Sequence, residues 1–299
     1  MAPSRYGLVV LVLLLNACEK PAPVDPAAHR AAVETWRSER LESLTRPDGW
    51  LSLVGLLWLE PGEQSLGRGP AADLRLDNAN LPPVAGAFRV AGGVVSFAAA
   101  PGVPVQHGDR PVTSLTLAPD TSGEPTVLRI GTLEFYVIDR DGRLGVRLKD
   151  SEAPARADFQ GLEYFPIDSD WRVTAELVPY EPAKRIPILN VLGMQVEMTS
   201  PGALVFELQG KEYRLDPVLE EGTTDWFVML ADETSGHETY GAGRYLYVTP
   251  PRDGRTVIDF NKAYNPPCAF SNFATCPLPP PQNRLPLSIT AGEKAYGSH

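Results

Sequence analysis

Histidine, methionine and cysteine are scarce in this chain: four, four and three among 299 residues. His29, His107, His237 and His299 have no ligand spacing with one another, so no dedicated metal centre is expected. No Gly-x-Ser-x-Gly elbow, metal-binding helix motif or glycine-rich phosphate loop occurs. That leaves no catalytic motif of high specificity and no sign of a bound cofactor. Positive charge is also short, with 27 Lys and Arg against 37 Asp and Glu and a net charge of −10. Nucleic acid is therefore not expected as a partner, because neutralising phosphates needs a basic face. The apolar run Gly7 to Leu15 is too short to span a bilayer as a stable helix.

Proline and glycine are abundant, 30 and 26 residues, and β-branched runs lie between them, which points to a mainly β fold. Asp25-Pro26 reads as an N-cap followed by proline at the first helical position. Val33, Trp36, Leu41 and Leu44 recur near one face, with Arg30, Glu34, Arg37 and Glu39 elsewhere, so an amphipathic helix is expected over 26–45. Trp50 to Leu59 is an apolar run of strand length. Short strand-like segments then follow at roughly ten-residue spacing, the pattern of a sandwich or barrel. Asp141-Gly142 and Gln209-Gly210 mark hairpins. Residues 150–185 read as a connector, and Trp171–Tyr180 opens a second series that includes Ile186–Leu192, Gln195–Thr199, Ala203–Leu208, Tyr245–Thr249 and Thr256–Phe260. Two packed antiparallel β-units are expected: 26–160 with the helix, and 161–299.

The second unit is organised around Thr256 to Lys294. A strand-like run enters a loop with six prolines between Pro266 and Pro281, where neither helix nor central strand can form. The aromatics and two cysteines in it argue for order. A second apolar run, Leu285–Ile289, leaves it.

The amino terminus reads as a targeting segment. Arg5 precedes the apolar run, which ends in Leu15-Asn16-Ala17-Cys18. This resembles the lipobox of bacterial lipoproteins, in which the cysteine becomes the lipidated first residue; the other reading is an ordinary secretory signal with a chance cysteine. The resemblance implies a signal peptide over 1–18, lipidation at Cys18 and attachment to the cell envelope, facing the periplasm. Glu19 stands where an aspartate would imply inner-membrane retention, so the outer membrane is the expected destination. Residues 19–25 read as a proline-stiffened tether. With Cys18 set aside, Cys268 and Cys276 remain as an even pair, for which a disulfide is expected in an oxidising compartment. Free buried thiols and metal binding are the alternatives.

Two family resemblances follow. Leu66-Gly67-Arg68 and the short strands after it look like a forkhead-associated β-sandwich. That family binds phosphothreonine through such an arginine and a Ser-x-x-His loop. The loop here, Asn80 to Val84, has neither serine nor histidine, so the resemblance implies a topology and not that ligand. The runs Asp232–Leu246 and Asp259–Lys294 resemble the DUF1684 family of bacteria and archaea, and Gly49–Gly67 and Asp109–Leu117 fit it as well. The resemblance implies no activity, and it implies that Cys268 and Cys276 belong to the family pattern.

Polar residues concentrate in two loops. If Tyr245–Thr249 and Thr256–Phe260 form a hairpin, both loops leave one sheet end and share a cleft. Three functional readings stand. In the first, Arg244, Asp259, Asn261, Lys262, Tyr264 and Asn265 hold a small anionic ligand. In the second, His237 works with Asp232 or Glu238 as the acid–base centre of a hydrolase. In the third, the chain is an envelope scaffold and these residues only satisfy loop backbone and a buried ion pair.

Overall fold

The computed structural model describes residues 25–297. The signal segment with Cys18, the tether up to Val24 and His299 lie outside the described residues. The fold is mainly β with one long N-terminal helix, as expected. Among the described residues no helix is long and apolar enough to cross a membrane.

Helix α1 spans Pro26–Thr45, and Asp25 caps it by accepting from the Ala27 amide at 3.0 Å. Val33 and Leu44 are buried, but Leu41 is exposed. The inward face is partly basic instead: Arg37 donates to the Phe165 carbonyl at 2.9 Å and Arg40 to Glu293 at 3.0 Å. Arginine stems can pack on apolar surface while the head finds a buried partner, so Arg37 is not part of the solvent face.

Trp50–Ser52 forms a 3-10 turn, shortening the first strand to β1 (Leu53–Trp58). β2 (Gly62–Gly67), β3 (Leu74–Arg75), β4 (Gly86–Ala91), β5 (Val94–Ala99), β6 (Gln106–His107), β7 (Arg110–Pro111) and β8 (Ser114–Leu117) follow. Then come β9 (Leu128–Ile130), β10 (Leu133–Arg140) and β11 (Arg143–Asp150). They make two sheets, in the orders β1-β11-β10-β9-β6-β7 and β3-β2-β4-β5-β8. One core fills the space between them, with Leu66, Phe88 and Phe97 meeting Leu133, Phe135 and Leu148. β10 and β11 form the hairpin signalled by Asp141-Gly142, both with positive φ (56° and 82°).

The second half contains β12 (Arg172–Leu189), β13 (Gln195–Leu208), β14 (Lys211–Leu215), β15 (Trp226–Leu230), β16 (Arg244–Val248) and β17 (Arg255–Asp259). A four-stranded sheet runs β14-β13-β12-β17, and β15 and β16 form a two-stranded sheet. Trp171, Phe206, Val228, Leu246 and Leu287 share the core between these sheets. The other face of β15 and β16 is buried as well, where Phe227, Met229 and Tyr245 meet Ile186, Ile188 and Leu53.

Three expectations are corrected here. Most of Trp171–Tyr180 and of Ile186–Leu192 lies in one strand, β12, with a register shift between Pro179 and Lys184 that carries the chain past its prolines. Gln195–Thr199 and Ala203–Leu208 join in the same way as β13. The Tyr245–Thr249 and Thr256–Phe260 segments form no hairpin: β16 pairs with β15, and β17 with β12. Pro250 and Pro251 at the start of their connection have no amide hydrogen for a ladder. Leu285, Leu287 and Ile289 are buried, but the run bends at Pro286 and Leu287, where the Leu287 amide donates to the Leu285 carbonyl at 2.9 Å, and it forms no strand.

Candidate functional site

The residues expected to line a cleft are instead mostly buried polar struts. Asp259 caps a 3-10 turn, accepts from Asn261, and bonds His29 Nε2 of α1 at 2.9 Å. Asn261 is fully buried and clamps the Asp168 backbone, accepting from its amide at 3.0 Å and donating to its carbonyl at 2.8 Å. Asn265 is also buried: its amide donates to Glu293 at 2.8 Å and its side chain to the Lys294 carbonyl at 2.7 Å. Tyr264 packs under Arg40, whose guanidinium lies 4.7 Å from the ring centroid. Burial pushes the Tyr264 hydroxyl above its ordinary range, so it stays protonated. Lys262 is half-buried and makes no side-chain hydrogen bond among the described residues.

Arg244 has no exposed surface. Its guanidinium meets Asp232 at 2.9 Å and donates to the carbonyls of Ile289, Ala291 and Glu293. Burial pulls it below the ordinary arginine range, with Asp232 working in the opposite direction. Asp232 is filled in turn by Arg244, by both donors of Thr234 and by the Ile289 amide. Arg244 therefore staples the C-terminal segment to β16 and presents nothing to a ligand. His237 and Glu238 are exposed, and no side-chain bond joins His237 to Asp232 or Glu238. The structure thus brings Asp232 to Arg244, and Asp259 to Asn261, but gathers no acid–base group around His237.

A different site lies at the seam where the C-terminal loop covers the outer face of the first sheet. Arg147 and Arg244 are the two buried arginines of the described residues, 4% and 0% exposed. Among the described residues Arg244 has a carboxylate and Arg147 has none. Among the same residues the side chain of Arg147 reaches only the Thr275 hydroxyl, at 3.3 Å, and its Nε has no hydrogen-bond partner. Arg140 donates to the same hydroxyl at 3.2 Å while pairing with Asp120 at 2.7 Å. Together with Trp50, Pro267, Ala274 and Cys276 they line a cavity of about 180 Å³. A larger basic cavity of about 470 Å³ beside Lys211 and Arg284 is less specific, because its Arg214 is half-exposed and already paired with Asp216.

The cysteines border this seam. Cys268 and Cys276 are free thiols in this structure. They touch: the Cys268 amide donates to Cys276 Sγ at 3.1 Å. Among the described residues no group of three or more His, Cys, Asp or Glu could hold a metal ion. Sequence reasoning missed Arg147. In Arg143–Asp150 it alternates with Val146 and Leu148, which face the core, so it reads as an ordinary solvated outward residue. Only the loop around Thr275, more than a hundred residues later, buries it.

Comparison with known proteins adds the following. A family model described as "Protein of unknown function (DUF1684)" matches residues 157–294. A solution NMR structure of an uncharacterised protein from Haloarcula marismortui is 36% identical, covering 46% of this chain and 78% of its own, with a TM-score of 0.40. The FhaA FHA domain, solved in complex with the intracellular domain of Rv3910, is 19% identical over 31% of this chain and 97% of its own, TM-score 0.22. An FHA domain from a study of phosphothreonine-dependent interactions gives the same TM-score, with 19% identity over 31% of this chain and 92% of its own. No curated protein matches.

Proposed function

We propose a function from one premise: this chain belongs to the DUF1684 family, proteins of unknown function. It is a lipid-anchored envelope protein that binds a small oxyanion in the seam cavity between its two β-units. One observation carries the binding reading: Arg147 is a buried guanidinium with no acidic partner among the described residues. A guanidinium does not shed its proton in a protein, and an uncompensated buried charge costs several kcal/mol. An oxyanion accepting from Arg147, with Arg140 and Thr275 beside it, would offset that cost through charge-assisted bonds. Size limits the ligand class. The cavity of about 180 Å³ suits phosphate, sulfate or a short carboxylate and is too small for a nucleotide.

Thermal unfolding of the full chain with phosphate, sulfate and succinate tests the reading. A ligand at a hundred times its dissociation constant is expected to add about 2.7 kcal/mol. The gain should vanish in Arg147→Met and persist in Arg75→Gln, a change at an exposed strand residue. Absence of a shift with all three anions would remove the binding reading and leave the scaffold reading in its place. The acid–base reading has no supporting geometry at His237. The anchor rests on Leu15–Cys18 and has its own check. Incorporation of a palmitate analogue in growing cells is expected for the native chain and lost in Cys18→Ala; equal labelling of both would refute it.

A further inference from the structure

We propose that Cys268 and Cys276 form a thiol–disulfide exchange site, with Cys268 attacking a disulfide of a partner molecule and Cys276 resolving the mixed disulfide. This does not depend on whether the seam cavity takes an oxyanion.

Three observations point to it. The two sulfurs are neighbours in the reduced form, with the Cys268 amide on Cys276 Sγ. Their surroundings hold both in place. Tyr240 donates to the Cys268 carbonyl at 3.1 Å, the Val191 amide to the Cys276 carbonyl at 3.0 Å, and Tyr245 to the Pro277 carbonyl at 2.7 Å. Last, the two thiols are unequal. Cys268 is half-buried and reachable, whereas Cys276 is 4% exposed and sheltered. A hydrogen bond from Cys276 holds Cys268 below the ordinary thiol range against the effect of burial, and the charge of Arg147 acts the same way. The same hydrogen bond, together with burial, pushes Cys276 up. A thiolate is the attacking species, so the asymmetry assigns the order of events.

The exchange balances. The Cys268 thiolate attacks one sulfur of a disulfide R–S–S–R′; a Cys268–S–S–R bond forms and R′S⁻ leaves, taking up a proton. Cys276 then gives up its proton and attacks the Cys268 sulfur, and RS⁻ leaves. The protein loses two electrons and two protons, and the partner disulfide becomes two thiols. In the reverse direction the protein disulfide oxidises a partner dithiol. The reduced pair seen here and the disulfide expected from the sequence are then the two states of one site.

The test uses the full chain, reduced and then exposed to oxidised glutathione, with acid quenching, alkylation and peptide mass analysis. The native chain is expected to end with an internal disulfide between Cys268 and Cys276 and no retained glutathione on either. Cys276→Ser should trap glutathione on Cys268, and Cys268→Ser should capture it on Cys276 at least about tenfold more slowly, following thiolate fraction and access. Two retained adducts on the native chain, or equal capture rates in the two variants, would overturn the proposal. If either variant fails to fold, limiting iodoacetamide on the native reduced chain decides instead. Cys268 alkylated first supports the assignment; Cys276 first, or both together, refutes it.

Discussion

Replacing Arg244 by alanine is expected to destabilise the protein by about 3–5 kcal/mol, the usual cost of removing one partner of a buried ion pair. The loss has two parts. Asp232 is left as a buried carboxylate with hydroxyl and amide donors but no counter-charge. The carbonyls of Ile289, Ala291 and Glu293 lose their common donor, and each unsatisfied buried group costs about 1–3 kcal/mol if nothing replaces it. Typical domains have only about 5–15 kcal/mol in total, so the variant stands near the threshold of folding. Urea unfolding measures it: the midpoint should fall while the slope stays constant. The double variant Arg244→Met with Asp232→Leu should recover part of the loss, since no isolated charge remains. A fall below about 1 kcal/mol in Arg244→Ala, within the usual range of surface pairs, would show that the pair is not structural.

Phe135→Ala is expected to cost about 3–5 kcal/mol, the range for deleting a buried aromatic ring. Phe88, Phe97 and Phe135 form a closed triad at the centre of the first sandwich, with centroids 4.8, 6.0 and 5.2 Å apart. Their tilted and edge-on geometries add about 0.5–1.5 kcal/mol per pair beyond buried area. Phe135 lies between the sheets, so the other two rings cannot both close on the space it leaves. Phe135→Leu keeps much of the volume and should cost clearly less. Equal midpoints for the Ala and Leu variants in the same urea experiment would show that the core collapses around the gap.

Much of the fold was legible because it rests on local chemistry. Asp25-Pro26 starts α1, Asp141-Gly142 and Gln209-Gly210 turn hairpins, and alternating runs such as Leu133–Arg140 are strands. Reading failed where tertiary contacts decide. The prolines of β12 look like strand breaks, yet the sheet absorbs them as a register shift. Arg37 looks like a solvent residue of a helix until Tyr164 is brought beneath it. The site was harder still. Loops rich in Asp, Asn and His signalled chemistry, but most of that polarity is spent on satisfying buried backbone, as at Asn261 and Asn265. Arg147 carries no local mark at all, since its meaning comes from a loop that covers it from elsewhere in the chain.

The docking of α1 also fixes an order of assembly. His29 bonds Asp259 and Arg40 bonds Glu293, contacts separated by 230 and 253 residues along the chain. Such contacts can close only after nearly the whole polypeptide is available. The helix made first is therefore seated last. Until then His29 and Arg40 on the helix, and Asp259 and Glu293 on the later chain, lack their partners, and the growing chain carries an unlatched amphipathic segment. A chaperone that binds exposed amphipathic segments has its target here for as long as that latch stays open.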